Sequence, residues 1–572
     1  MLLGASAAPV WTQAPTQSQP EIASEESPIT FSSRVNLISV PVVVRDKEGR
    51  AVGDLKKEDF QVFDKGKLQI VTRFSIEKSD RAAEIESGTS GAKREPLPTA
   101  LPESYVAYLV DDVHLDRGDL LQARQAMHRH LDEALDPTSR AAIFTTSGVT
   151  LADFTADREK LHSAVNRLQP YTSGIDRQMG CPSISYAVAD QMVNQKLYLD
   201  GRLFPDQQLY QVITGGAEPA LTAAYREASD CSGPCGANQN DQLSGLPMCV
   251  VQALIKLREA ARLALTYGDH ETSLGLGALN DVIRRLSVMP GNRNLVLVSP
   301  GFLLTRDHRT DEYDVLERAI HANVVVNTID MRGLFAIVPA LDLYEQDAAL
   351  HSNDVLAELA NGTGGTFFHN GNDLKRGLNL LAARPDYVYV LGFSPQDLKY
   401  DGAFHALKVT LRDSAHLTTQ ARSGYWAPRH AVDSAEAAKE EIEQTVFSRE
   451  EIQAIPLEVQ TEFFQSGDRK FELTVTAQLD AKGLRFDKAA DRNDDTLTVV
   501  SALFDPNGNY IAGMEKVVKL HLRDQTLQAF QKAGINVKEN FDVGPGRYLV
   551  RVVVRDSAGK AITARNVGVQ LP

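Results

Sequence analysis

No uninterrupted apolar run in the chain approaches the roughly 18 residues that a membrane-spanning helix needs, so no transmembrane segment is expected. Dense Lys/Arg runs are missing as well. With 60 basic against 75 acidic residues and a net charge of −15, the electrostatic footprint of a nucleic-acid binder is absent. Cysteine is scarce: four in 572 residues, all between Cys181 and Cys249. There is no G-x-S-x-G, H-E-x-x-H or Walker-type loop. Ser299-Pro300-Gly301 is not a nucleophile elbow. The Gly-rich stretch Asn361 to Gly365 precedes a strand, whereas a phosphate cradle opens a helix. These gaps point to a protein that is not an enzyme.

What is present is ordinary globular material, 43% apolar and 24% charged, long enough for three or four domains. The start, MLLGASAAPVWTQAPTQSQP, has small residues around Ala5-Ser6-Ala7 in a cleavage-like A-x-A pattern but lacks a positive leader. It reads either as a clipped signal peptide or as a disordered leader over residues 1–30. Gln13 to Pro28 is rich in Pro, Gln, Ser and Glu and is expected to be unstructured.

The chain is organised around Tyr105 to Asp116, YVAYLVDDVHLD. Its apolar run reads as a strand buried on both faces, as in a parallel sheet. Polar residues massed at a strand's carboxyl end are candidates for a site. From here strands and helices alternate, through Tyr387 to Phe393 as the last strand. The expected fold class is therefore α/β, a doubly wound, mainly parallel, Rossmann-like sheet over 103–428. A polar, cysteine-bearing insertion interrupts it at 170–257. A small β segment (34–76) and a linker (77–102) precede it. A charged linker helix (429–455) and an antiparallel β-sandwich of immunoglobulin or fibronectin kind (456–572) follow.

Two stretches carry a resemblance. VPVVVRDKEGRAVGDLKKEDFQVFDKG follows the form V-x-V-x-V-x-D-x-x-G-x-x-V-x-x-L-x-x-x-D-F, and YVYVLGFSP…HALKVTLRD…ARSGYWAP closes the α/β region. Arg34 to Pro428 thereby resembles the von Willebrand factor A-related proteins of the acidobacterial type. The resemblance implies an A-type domain that binds a protein or matrix ligand through a metal-ion-dependent adhesion site. Such a site uses an Asp and two hydroxyls after the first strand, a Thr from a second loop and an Asp from a third. One divalent cation, Mg²⁺, Mn²⁺ or Ca²⁺, would be the cofactor.

The ligands depart from that pattern. Counting from Asp112, the hydroxyl positions hold His114 and Asp116; counting from Asp111, they hold Val113 and Leu115. Thr272 is the candidate second-loop residue. Where the family has T-D-G after the late strand this chain has Ser299-Pro300-Gly301, so the third-loop Asp is missing and Ser299 is the remaining candidate there. Two readings stay open. Asp112, His114, Asp116 and Thr272 form a reworked site, better suited to Mn²⁺ or Zn²⁺; or the site has degenerated and Asp111 and Asp112 only cap the next helix. A metal-dependent hydrolase built on Asp112, His114 and Asp116 is a further alternative.

Cys181, Cys231, Cys235 and Cys249 are expected to form two disulfides, with three connectivities possible. A four-cysteine zinc site is the alternative. Disulfides imply export, to the periplasm, the cell envelope or the exterior. They also suggest a rival role, a structural scaffold that binds through the insertion.

Overall fold

The computed structural model describes residues 21–28, 38–47, 50–78, 102–136, 138–171, 181–194, 219–233, 242–243, 246–333, 343–393, 395, 403–412, 416–427, 434–447, 451–467, 470–489 and 491–572. The leader up to residue 20, linker residues 79–101 and Cys235 lie outside them.

Five strands open the described chain: β1 (Ile22–Pro28), β2 (Ile38–Arg45), β3 (Phe60–Asp64), β4 (Lys67–Gln69) and β5 (Val71–Lys78). In β2 the alternation is strict, with Ile38, Val40, Val42 and Val44 buried and their neighbours partly exposed. β3 and β4 are joined through Lys65 and Gly66, at φ +46° and +80°, the left-handed conformations a two-residue hairpin turn requires.

The central sheet follows. β6 (Ser104–Val110) is buried along its whole length, as its continuous apolar run implies. β7 (Ser139–Thr145), β8 (Thr150–Thr155), β9 (Asn292–Ser299), β10 (Val324–Asp330) and β11 (Phe367–Phe368) complete it. The order is β11-β10-β9-β6-β7-β8, parallel throughout except for the antiparallel edge β8. Successive side chains on a strand point to opposite faces, and β6 shows it. Val106, Tyr108 and Val110 pack with Leu120, Leu161 and Leu378. These belong to helices α1 (Arg117–Glu133), α2 (Arg158–Asn166) and, last in the unit, Leu374–Ala382. Tyr105, Ala107 and Leu109 pack on the other face with Leu279, Ile283, Val315 and Leu356.

Between α2 and β9 lie α3 (Tyr186–Asn194), α4 (Pro219–Ser232) and α5 (Met248–Ser287). α3, α4 and the first half of α5 share a separate core around Ala189, Ala228, Leu254 and Leu257. α5 is a single 40-residue helix that runs from the insertion into the sheet's helical layer. α6 (Arg309–His321), α7 (Leu343–Thr363) and α8 (Leu374–Ala382) follow.

Two expectations need correction. β12 (Tyr387–Phe393) does not extend the parallel sheet; it pairs antiparallel with β2 and β5. Together with β13 (Phe404–Leu411), β14 (Thr418–Ala421) and β15 (Gly424–Trp426), the early strands form two four-stranded sheets, β14-β2-β12-β5 and β15-β13-β3-β4. Val40, Val42, Phe60, Val62, Tyr389, Leu391 and Val409 fill the space between them. The second correction is β1. Residues 22–28 were expected to be unstructured, yet they pair with a strand near the other end of the chain.

That strand belongs to the C-terminal sandwich. After α9 (Ser434–Val446) come β16 (Leu457–Gly467), β17 (Lys470–Leu479), β18 (Arg492–Phe504), β19 (Tyr510–Arg523), α10 (Asp524–Ala533), β20 (Ile535–Val543), β21 (Gly546–Asp556) and β22 (Ala561–Leu571). One sheet is β16-β17-β20. The other runs β1-β19-β18-β21-β22, with the short strands Ile452–Gln453 and Asp487–Ala489 at its margins. Leu473, Val475, Val499, Leu520, Val537 and Val552 form the core between them. α9 is packed rather than free: Ile442, Val446 and Phe447 bury against Val500, Phe504 and Val553. The fully buried Arg551 donates to the Thr445 carbonyl at 2.9 Å.

The chain as described is thus mixed α/β and rich in antiparallel sheet. The Tyr105 hydroxyl, at the amino end of β6, donates to the Asn507 carbonyl of the sandwich at 2.8 Å. The carboxyl end of the parallel strands is left for the candidate site. Among the described residues, no helix is long and apolar enough to cross a membrane.

Candidate functional site at the carboxyl edge of the central sheet

β6 ends in Asp111 and Asp112, and both carboxylates turn inward; Asp111 is fully buried and Asp112 is 5% exposed. A buried carboxylate is tolerated only when it is hydrogen-bonded or paired, and here the donors are all at hand. Asp111 Oδ2 accepts from Ser299 Oγ at 2.6 Å, and Oδ1 accepts from Thr146 Oγ1 at 2.8 Å and the His114 amide at 3.1 Å. His114 Nδ1 lies 3.0 Å from both oxygens. Asp112 Oδ1 accepts from the Ser147 amide at 2.9 Å and Thr146 Oγ1 at 3.1 Å, and Oδ2 from Ser147 Oγ at 2.6 Å. Burial alone would raise the Asp111 pKa. The charge and hydrogen bond of His114, with the Ser299 and Thr146 hydroxyls, outweigh it and hold the group below its ordinary value.

Ser299, the last residue of β9, is held in place by the loop behind it. Gly301 sits at φ +84°, and its amide donates to Ser299 Oγ at 2.9 Å. A Cβ at Gly301 would fall 2.0 Å from the Ser352 carbonyl oxygen, so both conformation and space demand glycine. Phe302 follows and stacks on the His114 ring at 5.4 Å. The Ser-Pro-Gly sequence that replaces the expected acidic loop therefore supplies a donor to Asp111, not a ligand oxygen with its own charge.

The six residues singled out in the sequence divide. Asp111, Asp112, His114 and Ser299 converge. Asp116 instead caps α1, accepting from the Asp119 amide at 2.7 Å, which satisfies one orphan donor of the helix. Thr272, in α5, donates to the Leu303 carbonyl at 3.2 Å and so anchors the far side of the loop. Thr146 and Ser147 were missed. Their signal was the T-T-S run at the end of a predicted parallel strand, the same edge that makes Asp111 conspicuous. Asp330 and Arg332 were missed too. The Arg332 guanidinium bonds both Asp330 oxygens at 2.9 Å, placing a fixed positive charge beside the acidic edge. Asp119 is shifted up by burial and by the charges of Asp116 and Asp330, with Arg332 opposing.

The oxygens of Asp111, Asp112, Thr146, Ser147 and Ser299 are hard donors of the kind Mg²⁺ prefers. Their set does not fit a cation well, because each carboxylate oxygen already accepts a proton-bearing group. Among the described residues no three His, Cys, Asp or Glu side chains are placed to hold a metal ion. Nor is a nucleophile prepared: Ser299 Oγ gives its proton to a carboxylate and not to an imidazole.

In the insertion, Cys181 and Cys231 form a disulfide with Cα atoms 5.5 Å apart, joining the segment before α3 to the end of α4. Cys249 is disulfide-bonded as well. The four-cysteine zinc alternative is thereby set aside.

No protein-family model matches the chain, and no curated protein does. Among solved structures it is similar to the conserved hypothetical protein BatB from Bacteroides thetaiotaomicron, at 11% identity and TM-score 0.22, over 49% of this chain and 97% of that one. An aerotolerance-related membrane protein from Bacteroides fragilis, with multiple mutations to serines, gives 10%, 0.21, 49% and 98%. Three N-terminal domains of the type V pili tip protein Mfa5 from Porphyromonas gingivalis give 11% and 0.19, over 95% of this chain and 78% of that one. At such TM-scores function has to be argued from the chain's own residues.

Proposed function

We propose that the chain is a non-enzymatic, exported binding protein. In this reading its central unit is of the von Willebrand factor A type, and its adhesion site has become a hydrogen-bonded structural cluster. The partner is a protein or matrix ligand of the cell envelope, bound without a bridging cation. The observation that carries the reading is the closed donor shell around Asp111 and Asp112, in which His114 and three hydroxyls occupy the oxygens a cation would need. The sheet order and the position of the two carboxylates at the end of β6 support the A-type assignment. The Cys181–Cys231 bond supports passage into an oxidising compartment.

A specific feature favours the insertion and the adjoining part of α5 as the contact surface: Ile255 is 43% exposed, and Leu263 and Tyr267, beyond the insertion's end at 257, are 50% and 37% exposed. The test of the cation question is a calorimetric titration of metal-stripped protein with Mg²⁺, Mn²⁺, Ca²⁺ and Zn²⁺, beside Asp112→Ala. The expected result is no saturable heat that Asp112→Ala removes. Saturable binding lost in that variant would restore a working adhesion site and an acidic partner.

A further inference from the structure

β1 is the outermost strand of its sheet, and all seven of its residues are exposed. It buries no apolar side chain. What holds it is a ladder with β19, from Ile22 opposite Leu520 to Pro28 opposite Met514, together with charge. Lys516 Nζ lies 2.9 Å from Glu26. Glu21 is 3.2 Å from Arg523 and 3.4 Å from Arg492, accepts from Thr526 Oγ1 at 2.6 Å, and its carbonyl accepts from the His521 amide at 2.9 Å. The segment EIASEESP is thus acidic, and the edge that receives it is basic.

Without β1, β19 would present a row of bare backbone donors and acceptors, which is a template for an added strand. Hydrogen bonds and ion pairs whose side chains still reach water, with no apolar burial beside them, give little to keep β1 there. In cis the strand is favoured only by its tether, since residues 29–37 are all that separates it from β2. Every copy of the chain carries one such acidic segment and one such basic edge. A reciprocal exchange leaves no edge open and closes with two-fold symmetry.

We propose that the β19 edge is an acceptor site for an extended acidic segment, and that Glu21–Pro28 of a second copy occupies it in a strand-exchanged dimer. This inference does not depend on the reading of the carboxyl-edge cluster. The test uses the full chain in two versions with one added cysteine each, Ala23→Cys and Lys519→Cys, because these exposed positions face each other across the ladder. The two are mixed and treated with a short bismaleimide. A covalent heterodimer is expected, its share rising with protein concentration and falling when Lys516→Glu is added to the Lys519→Cys chain. No more dimer than in a mixture of Ala23→Cys with Lys532→Cys, an exposed position on α10, would overturn the proposal. The doubly substituted chain should close within one molecule at high dilution and between two molecules as concentration rises. Absence of both products would show that β1 does not sit on β19 at all, which also overturns the proposal.

Discussion

A carboxyl group between two packed sheets has little water to stabilise its charge, and Glu539 of β20 is in that position. It is 2% exposed, and neither of its oxygens has a hydrogen-bond partner. Burial pushes its pKa up to about 8; the nearby Ser501 hydroxyl opposes the shift, the Glu26 charge adds to it and Lys516 opposes it. The folded state therefore holds a proton that the unfolded chain releases near its ordinary value of 4.5. Stability from this group is full below that value and is lost as pH rises through about 8. Glu312, also buried and raised to about 8, acts in the same window. Glu539→Gln should accordingly flatten, without abolishing, the decline of stability with pH, as read from urea midpoints across that window. An unchanged slope would mean that Glu539 is ionised in the folded protein. Single residues were unevenly legible in the sequence. Asp111, Asp112 and Ser299 announced themselves by standing at strand ends, where a site on a parallel sheet must lie. Thr146 and Ser147 occupy the same edge, but hydroxyls after a strand are common and only the fold shows them turned toward the carboxylates. Glu539 shares the buried face of the strictly alternating β20 with Val537 and Phe541, a charged residue where the pattern calls for an apolar one, and its burial shows only in the closed sandwich.

Elements were legible where their pattern was one-sided and misread where it was not. β6 and its helices follow from an apolar run and helical spacing. β12 has buried residues on both faces, which identifies a strand but not the sheet it joins. β1 buries nothing, so composition was the sole guide and pointed to disorder. One glycine of α5 has a packing reason: a Cβ at Gly268 would fall 2.2 Å from the Tyr186 ring, so the helix keeps a glycine to let α3 approach. The same bundle carries the Cys181–Cys231 bond, which closes a separation of 50 residues. In the chain-entropy picture a loop of that size contributes about 4 kcal/mol. Cys181→Ser with Cys231→Ser should therefore speed hydrogen exchange in α3 and α4 while amides of β6 and β9 keep their protection. Equal loss in the sheet would show that the insertion and the sheet unfold as one unit.

The whole molecule is folded back on itself. Strands from 38–78 share sheets with strands from 387–426, and residues 22–28 close the edge of the C-terminal sandwich. The sandwich in turn touches the amino end of β6, so the carboxyl edge with its cluster is the open end of the central sheet. The account's central claim is that this cluster is a finished structural unit. If so, removing Asp111 strands the His114, Thr146 and Ser299 donors in a buried site and should cost about 3 kcal/mol. Urea unfolding of metal-free wild type and Asp111→Ala, each with and without Mg²⁺, tests this most directly. The prediction is a variant less stable by that amount and a wild type indifferent to Mg²⁺. A variant as stable as metal-free wild type, with Mg²⁺ stabilising only the wild type, would contradict it: the two carboxylates would then be a repelling pair that needs a cation.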